Sequence, residues 1–295
     1  MGTIFRHTFR RSRGAILGWG LGLFALGLMI IPIFDILADQ QEQLNQLLEM
    51  YPPELIAFFG DFSEIASPSG FLGIEYFSYM PLILGIYGII AGSGLIVGDE
   101  ENGTLDLIMG YPLSRTSFFI GRVLSVFLTL ISIIIIAWLG IGIPSLTTES
   151  FSIHWGELFL PFLSLLAILL LFTSLALLMS MLLPSRRSAA MVTGILLVAS
   201  FFINGFASIN EDLQPIADFL PLKYYQGGDA LNGLNWNWVA GLLGFALLFV
   251  LLSWWQYQRR DIRVAGEGSW SLLDTFRRNR RRTFPKSSST MESSS

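Results

Sequence analysis

Side chains able to do chemistry are few in this 295-residue sequence, and their spacing excludes most of what they could do. There are two histidines, His7 and His154, and no cysteine. Neither histidine stands in a metal pattern such as His-Glu-x-x-His, and without thiols there are no disulfides or thiolate sites, so the redox compartment cannot be read. Serines recur inside apolar stretches (Ser132, Ser164, Ser174, Ser180, Ser200), but a nucleophile needs a base and none lies near them in those stretches. Their expected role is hydrogen bonding between helices. No Gly-x-x-x-x-Gly-Lys-Ser/Thr loop occurs, so the chain does not hydrolyse ATP by that route. No catalytic, cofactor-binding or metal residue is expected. What remains is one dense acidic run, Asp99-Glu100-Glu101, with Arg115 and Arg122 downstream.

The elements that position this run are apolar. Six segments, Ala15 to Ile36, Phe77 to Gly98, Phe118 to Ile143, Phe159 to Leu183, Ser188 to Ile209 and Trp238 to Tyr257, are each near the ~20 residues that cross ~30 Å of hydrocarbon. Of the 18 Lys and Arg residues, 17 fall on one side of these spans and Lys223 alone on the other. Basic residues resist translocation, which puts both termini in the cytoplasm. The formal net charge of −4 hides two opposed faces: 14 acids against one lysine outside, and 8 acids against 17 bases inside. A positive inner face suits anionic lipid head groups and is no sign of nucleic acid. The fold class is therefore all-α, a polytopic membrane protein with six transmembrane helices and N-in/C-in topology.

Gradient-driven transport needs ionisable groups at the midplane. Here Asp35 and Glu75 fall at outer helix ends, and Arg122 lies about one turn inside the third span, within snorkelling reach of the inner interface. Secondary transport is disfavoured.

Three domains follow. Residues 1–14 mix Ile4, Phe5 and Phe9 with Arg6, His7, Arg10, Arg11 and Arg13, the composition of an amphipathic surface helix. Residues 15–262 form the six-span domain, its first span too long and too glycine-rich for a cleaved signal peptide. Residues 263–295 form a basic, Ser-rich tail, a surface-bound helix at first and disordered at the end. Between the first two spans, Leu44, Leu47, Leu48 and Tyr51, then Leu55, Ile56, Phe58 and Phe59, suggest two interfacial helices. Residues 211–236 either re-enter the membrane with their backbone buried in protein or form a loop anchored by Tyr and Trp. Gly14, Gly18 and Gly22 in the first span, and Gly88, Gly92, Gly94 and Gly98 in the second, predict close helix packing, while Pro32 and Pro81 predict kinks.

The inner loop between spans two and three is the most specific stretch. Thr104 is an expected N-cap for a short helix on which Leu105, Ile108 and Met109 share a face, ended by Gly110 and Pro112. Three carboxylates beside an anionic leaflet have the wrong sign for lipid, so the loop is expected to face protein. The run Glu101-Asn-Gly-Thr-Leu-Asp-Leu-Ile-Met-Gly-Tyr-Pro-Leu-Ser-Arg115, then Gly121-Arg122, resembles the pattern of ABC-2 type permeases, the membrane subunits of ATP-binding-cassette transporters. Pro221-Leu-Lys-Tyr-Tyr225 and Arg259-Arg-Asp-Ile262 add weaker matches, while Asp106 and Met109 to Tyr111 depart from the pattern.

The resemblance implies a coupling helix that docks on a cytoplasmic ATP-binding-cassette ATPase, carried here by Glu100, Glu101, Gly103, Thr104, Leu105 and Ile108. It implies a second ATPase contact at His7, Arg10, Arg11 and Arg13. A second permease half, identical or similar, completes the pathway. ATP and Mg are held by the ATPase, and no cofactor by this chain. Phe201, Phe202, Asn204 and Phe206 of the fifth span are candidate pathway-lining residues. The expectation is an exporter subunit in the inner plasma membrane of a prokaryote. Its rivals are a non-transporting scaffold or signalling subunit driven by an ATPase and, more distantly, an intramembrane enzyme.

Overall fold

The computed structural model describes residues 2–38, 67–105, 110, 114–148, 151 and 153–259, the side chains of 35, 37 and 38 excepted. The expected interfacial helices of 39–66, positions 106–109 of the inner loop and the tail lie outside the described residues. The described elements are helical: α1 (Gly2–Arg11), α2 (Arg13–Ala38), α3 (Pro68–Leu72), α4 (Met80–Ser93), α5 (Val97–Glu101), α6 (Arg115–Ser145), α7 (Trp155–Leu182), α8 (Arg186–Ala207), α9 (Gln214–Ala217) and α10 (Trp236–Arg259). Six helices are long and apolar enough to cross a membrane. Five coincide with the expected spans to within a few residues. Serines set several of their starts: Ser114 accepts from the Ser117 N–H at 3.2 Å, and Ser185 and Ser188 cap each other reciprocally at the head of α8.

The second span runs Pro68–Ser93 and so begins nine residues before the expected Phe77. Its two helical pieces, α3 and α4, are joined through a wide π turn at Gly73–Phe77, and the chain bends again at Gly94. The cause is Pro81, which sits in the first turn of α4 and has no N–H for the carbonyl four residues back, that of Phe77. The Tyr225 hydroxyl supplies the missing donor, 2.9 Å from that carbonyl oxygen. Pro32, by contrast, lies within the continuous helix α2.

Helix α7 is the centre of the bundle, packing against α4, α10, α8 and α6, while α2 packs along α6. It is also the most buried span, and α8 and α10 are the least buried. Between helices in lipid, close approach replaces the hydrophobic drive available in water. A Cβ added at Gly92 would lie 2.3 Å from the Thr173 carbonyl oxygen of α7, and one at Gly27 would lie 2.6 Å from the Gly140 backbone of α6. The Gly88/Gly92 pair therefore packs as expected. The Gly14, Gly18 and Gly22 stripe faces open space instead. Large apolar residues Leu23, Ile30, Ile31 and Phe34 carry Gly27 inward with them, and this turns the other glycines out.

Residues 211–236 fold back on the bundle in short helical turns. The Gln226 N–H donates to Ser164 Oγ of α7 at 3.1 Å, nine residues below the head of that helix, about 14 Å along its axis. Gln226 Oε1 accepts from the Asn235 N–H at 2.6 Å, and its Nε2 donates to the Asn235 carbonyl at 3.3 Å. Gly228 allows the turn to seat: a Cβ there would be 2.4 Å from Gly73 Cα. Leu222, Gln226, Gly228, Ala230 and Leu231 are buried against the bundle, while residues 211, 212, 215, 216 and 219 are exposed.

Replacing Gly92 by Val should overpack the α4/α7 crossing by about 1–3 kcal/mol or more and lower the melting temperature in detergent. Gly18→Val should leave it within error. Thermal aggregation followed by size-exclusion chromatography checks both, and equal melting of the two variants would contradict the packing described.

Candidate functional site

The acidic run is built as a closed helical turn. Glu101 ends α5, Asn102 follows, and Gly103 takes φ +67°, the left-handed conformation that glycine adopts without a Cβ clash. The Gly103 N–H donates to the Glu100 carbonyl and the Thr104 N–H to the Asp99 carbonyl, both at 3.0 Å. This is the paired closure of a helix C-terminus by a glycine turn. The Thr104 hydroxyl adds a bond to the same Asp99 carbonyl at 3.2 Å. Thr104 thus closes the helix before it. The helix it is expected to cap lies, from position 106 on, outside the described residues, as does Ile108.

Each of two carboxylates in the run has a partner within the chain. Arg122 Nη2 of α6 donates to Asp99 Oδ2, and both side chains are only 11% exposed. Arg122 is therefore turned to this carboxylate, and the Phe118 ring lies under its guanidinium at 5.1 Å. Glu101 reaches the head of α8. Its Oε1 accepts the Arg186 backbone N–H at 2.9 Å, and its Oε2 lies 3.2 Å from Arg186 Nε. One carboxylate thus meets an unsatisfied helix N–H, the positive end of the helix dipole and a guanidinium. Gly98 lies beside the guanidinium, the site of its absent Cβ 3.7 Å from Arg186 Nη1.

An apolar layer seats the turn. Leu105 (1% exposed) joins Leu95, Ile96, Phe119, Met181 and Tyr257 in a second buried cluster, against which Ile4 of α1 packs. Tyr257 stacks on Phe119, and Gln258 Nε2 donates to Thr116 Oγ1 at 2.8 Å, which fixes the foot of α10 to the head of α6. The foot of α10, α1 and the heads of α6 and α8 thus share one end of the bundle with the acidic turn.

The candidate residues divide by exposure. Glu100 and Leu105 are buried, Gly103 is half-buried, and Glu101 and Thr104 open outward. His7, Arg10, Arg11 and Arg13 are exposed along α1 and the start of α2. The fifth-span group lies far off, near the other end of α8. Phe202 stacks with Phe206 at 6.4 Å and meets Phe201 edge-on at 5.7 Å. Phe202 and Phe206 are exposed, and Phe201 and Asn204 are half-buried. From Arg186 to Phe202 is about 24 Å of helix. Sequence reasoning missed Arg186 and the pairing of Arg122. The available signal was charge opposition: three acids on one inner loop with basic residues at the mouths of the next two.

The family model described as ABC-2 family transporter protein matches residues 3–262, and the chain belongs to that family. No curated protein matches it.

Breaking a buried pair from one side strands a charge, at a cost of about 3–5 kcal/mol. Arg122→Met and Asp99→Asn should each cut the yield of monodisperse protein and the melting temperature. The double variant should lose clearly less than the sum of the two. Strict additivity in that cycle would mean the two side chains do not interact.

Proposed function

We propose that this multi-pass membrane protein is the permease subunit of an ATP-driven exporter, lying in the inner membrane of a prokaryote with both termini in the cytoplasm. Family membership supports the permease role, and the basic bias of the inner loops supports the orientation. ATP and Mg are bound by a separate ATP-binding-cassette subunit, and a second permease half, identical or similar, completes the pathway. The observation that carries the ATPase contact is the closed turn at Val97–Thr104, held from three helices and still presenting Glu101 and Thr104 outward. A pre-ordered protrusion loses little entropy when it docks. Glu100, Gly103 and Leu105 build it, and Ile108 is assigned to the same contact from the sequence alone. The exposed side chains of His7, Arg10, Arg11 and Arg13 supply the second contact.

The pathway is assigned to the open face of α8, where Met191, Ile195, Phe202 and Phe206 are 47–65% exposed. Asn204, half-buried, lies between Phe202 and Phe206 in sequence. An apolar, aromatic lining of this kind suits an amphipathic, lipid-like cargo rather than a charged solute.

Mild-detergent purification from native membranes tests the reading. A cytoplasmic ATPase at one copy per chain, with ATP hydrolysis in the complex, is expected. A chain that emerges alone under conditions that preserve its dimer would return the scaffold reading. Thr104→Trp, or Arg10→Glu with Arg11→Glu, should weaken ATPase retention by about tenfold, equivalent to ~1.4 kcal/mol, without altering the elution volume of the permease. Phe202→Ala with Phe206→Ala should lower export while ATPase retention stays at the wild-type level.

A further inference from the structure

Helices α6 and α10 touch at the end of the bundle that carries the acidic turn, where Gln258 Nε2 donates to Thr116 Oγ1 and Tyr257 stacks on Phe119. Each side of that hydrogen bond has an arginine next to it in sequence, Arg115 before Thr116 and Arg259 after Gln258. The contact thus draws two guanidiniums to one place, Arg259 exposed and Arg115 half-buried. Among the described residues Arg259 pairs with no carboxylate, and its guanidinium lies over the Trp255 ring at 4.1 Å. Beside them the Tyr257 hydroxyl is buried without a partner among the described residues, with Arg115 in electrostatic reach. Like charges brought together repel unless an anion lies between them, and a buried hydroxyl left unpaired is costly. A phosphate would relieve both.

Toward the membrane interior the same contact opens onto apolar surface. On the side of α6 that holds Thr116, steps of four residues lead to Ile120, Leu124 and Leu128. On the side of α10 that holds Gln258, one helical turn after another leads to Trp254, Leu251 and Leu247. All six are 36–59% exposed. Two open stripes therefore start at one contact and run into the membrane from it, while α7 packs against both helices. Cations at the rim, a tryptophan at the interface and apolar stripes beneath follow the order of the parts of a phospholipid.

We propose that the junction of α6 and α10 is a binding site for one anionic phospholipid. Arg115 and Arg259 hold its phosphate, the Tyr257 hydroxyl donates to a phosphate oxygen, and its acyl chains lie along the two stripes. Each guanidinium carries five N–H donors in a planar fork, enough for a phosphate and a protein partner at once. A choline or ethanolamine headgroup would bring a third cation beside these two, so the site selects a headgroup without one. Basic pockets between membrane helices take anionic headgroups for the same reason. The lipid reinforces the Gln258–Thr116 bond from the membrane side and so holds the foot of α10 to the head of α6. None of these residues belongs to the proposed ATPase contact or pathway, and the site does not depend on either.

Native mass spectrometry tests this on the full chain, purified in mild detergent, stripped of lipid and titrated with phosphatidylglycerol or with phosphatidylcholine of the same acyl chains. The wild type should take up one phosphatidylglycerol per chain, with a preference over phosphatidylcholine of at least about tenfold. Arg115→Gln with Arg259→Gln should remove the preference. Arg6→Gln with Arg187→Gln, which deletes two exposed cations elsewhere at the same end, should leave it intact. Arg259→Gln alone should reduce it about threefold, and this single variant decides the matter if the double variant does not fold. Absence of any preference in the wild type, as when a second copy of the chain covers the stripes, overturns the proposal. So does an equal loss in the two double variants, which would mark a response to net charge. Displacement of phosphatidylglycerol by excess inorganic phosphate would make the ligand a free anion and overturns it as well.

Discussion

A carboxylate and a guanidinium that cannot reach bulk water must find each other, and the pairing of Asp99 with Arg122 satisfies that constraint at the end of the bundle where α1, α6, α8 and α10 meet. Leaving either charge alone in low dielectric is far costlier than bringing two helices together. The pair therefore dictates where the turn after the second span sits against α6. Everything around it follows that placement: Gly103 closes the turn, Leu105 seals it against Phe119 and Tyr257, and Glu101 is left at the edge, facing the head of α8. The other end of the molecule obeys the same rule with neutral groups. There Pro81 removes a donor, Tyr225 returns one, and Gln226 ties the returning segment to α7 through Ser164. Polar groups in both places are satisfied by residues distant in sequence, and so join elements that apolar packing alone would leave free to slide.

The six spans were legible in the sequence because hydropathy and length are local properties, and lipid permits little else. The second span was misplaced because its start depends on Pro81 acting on a carbonyl and on Tyr225, nearly 150 residues away, answering it. Glycine spacing showed that Gly14, Gly18 and Gly22 share a face. It could not show that the face is the open one, since that depends on which neighbour Leu23 and Phe34 find. At the candidate site, the acidic run stood out by sign against the expected leaflet charge, but sign alone could not tell a contact within the chain from one with a partner. The protein that Asp99 and Glu101 face is this chain. Arg122 was read alone and so sent toward water. Its actual partner is 23 positions away, at a distance periodicity does not report.

The arrangement suits a subunit driven from outside itself. At the end of the bundle that carries the acidic turn, charge pairs and an apolar seal hold several helices together, while α8 and α10 expose broad apolar faces. A displacement of the head of α8 would carry Phe202 and Phe206, about 24 Å away along the same helix. No group of this chain need change its chemistry for that to happen, which agrees with a family whose members are membrane components.

The most direct measurement is an electron cryomicroscopy structure of the chain bound to its ATP-binding-cassette subunit, with and without nucleotide. The account predicts the Val97–Thr104 turn seated in the ATPase, with Asp99 on Arg122 in both states. An ATPase bound elsewhere on the chain, or a turn that loses the Asp99–Arg122 pair on docking, would contradict it.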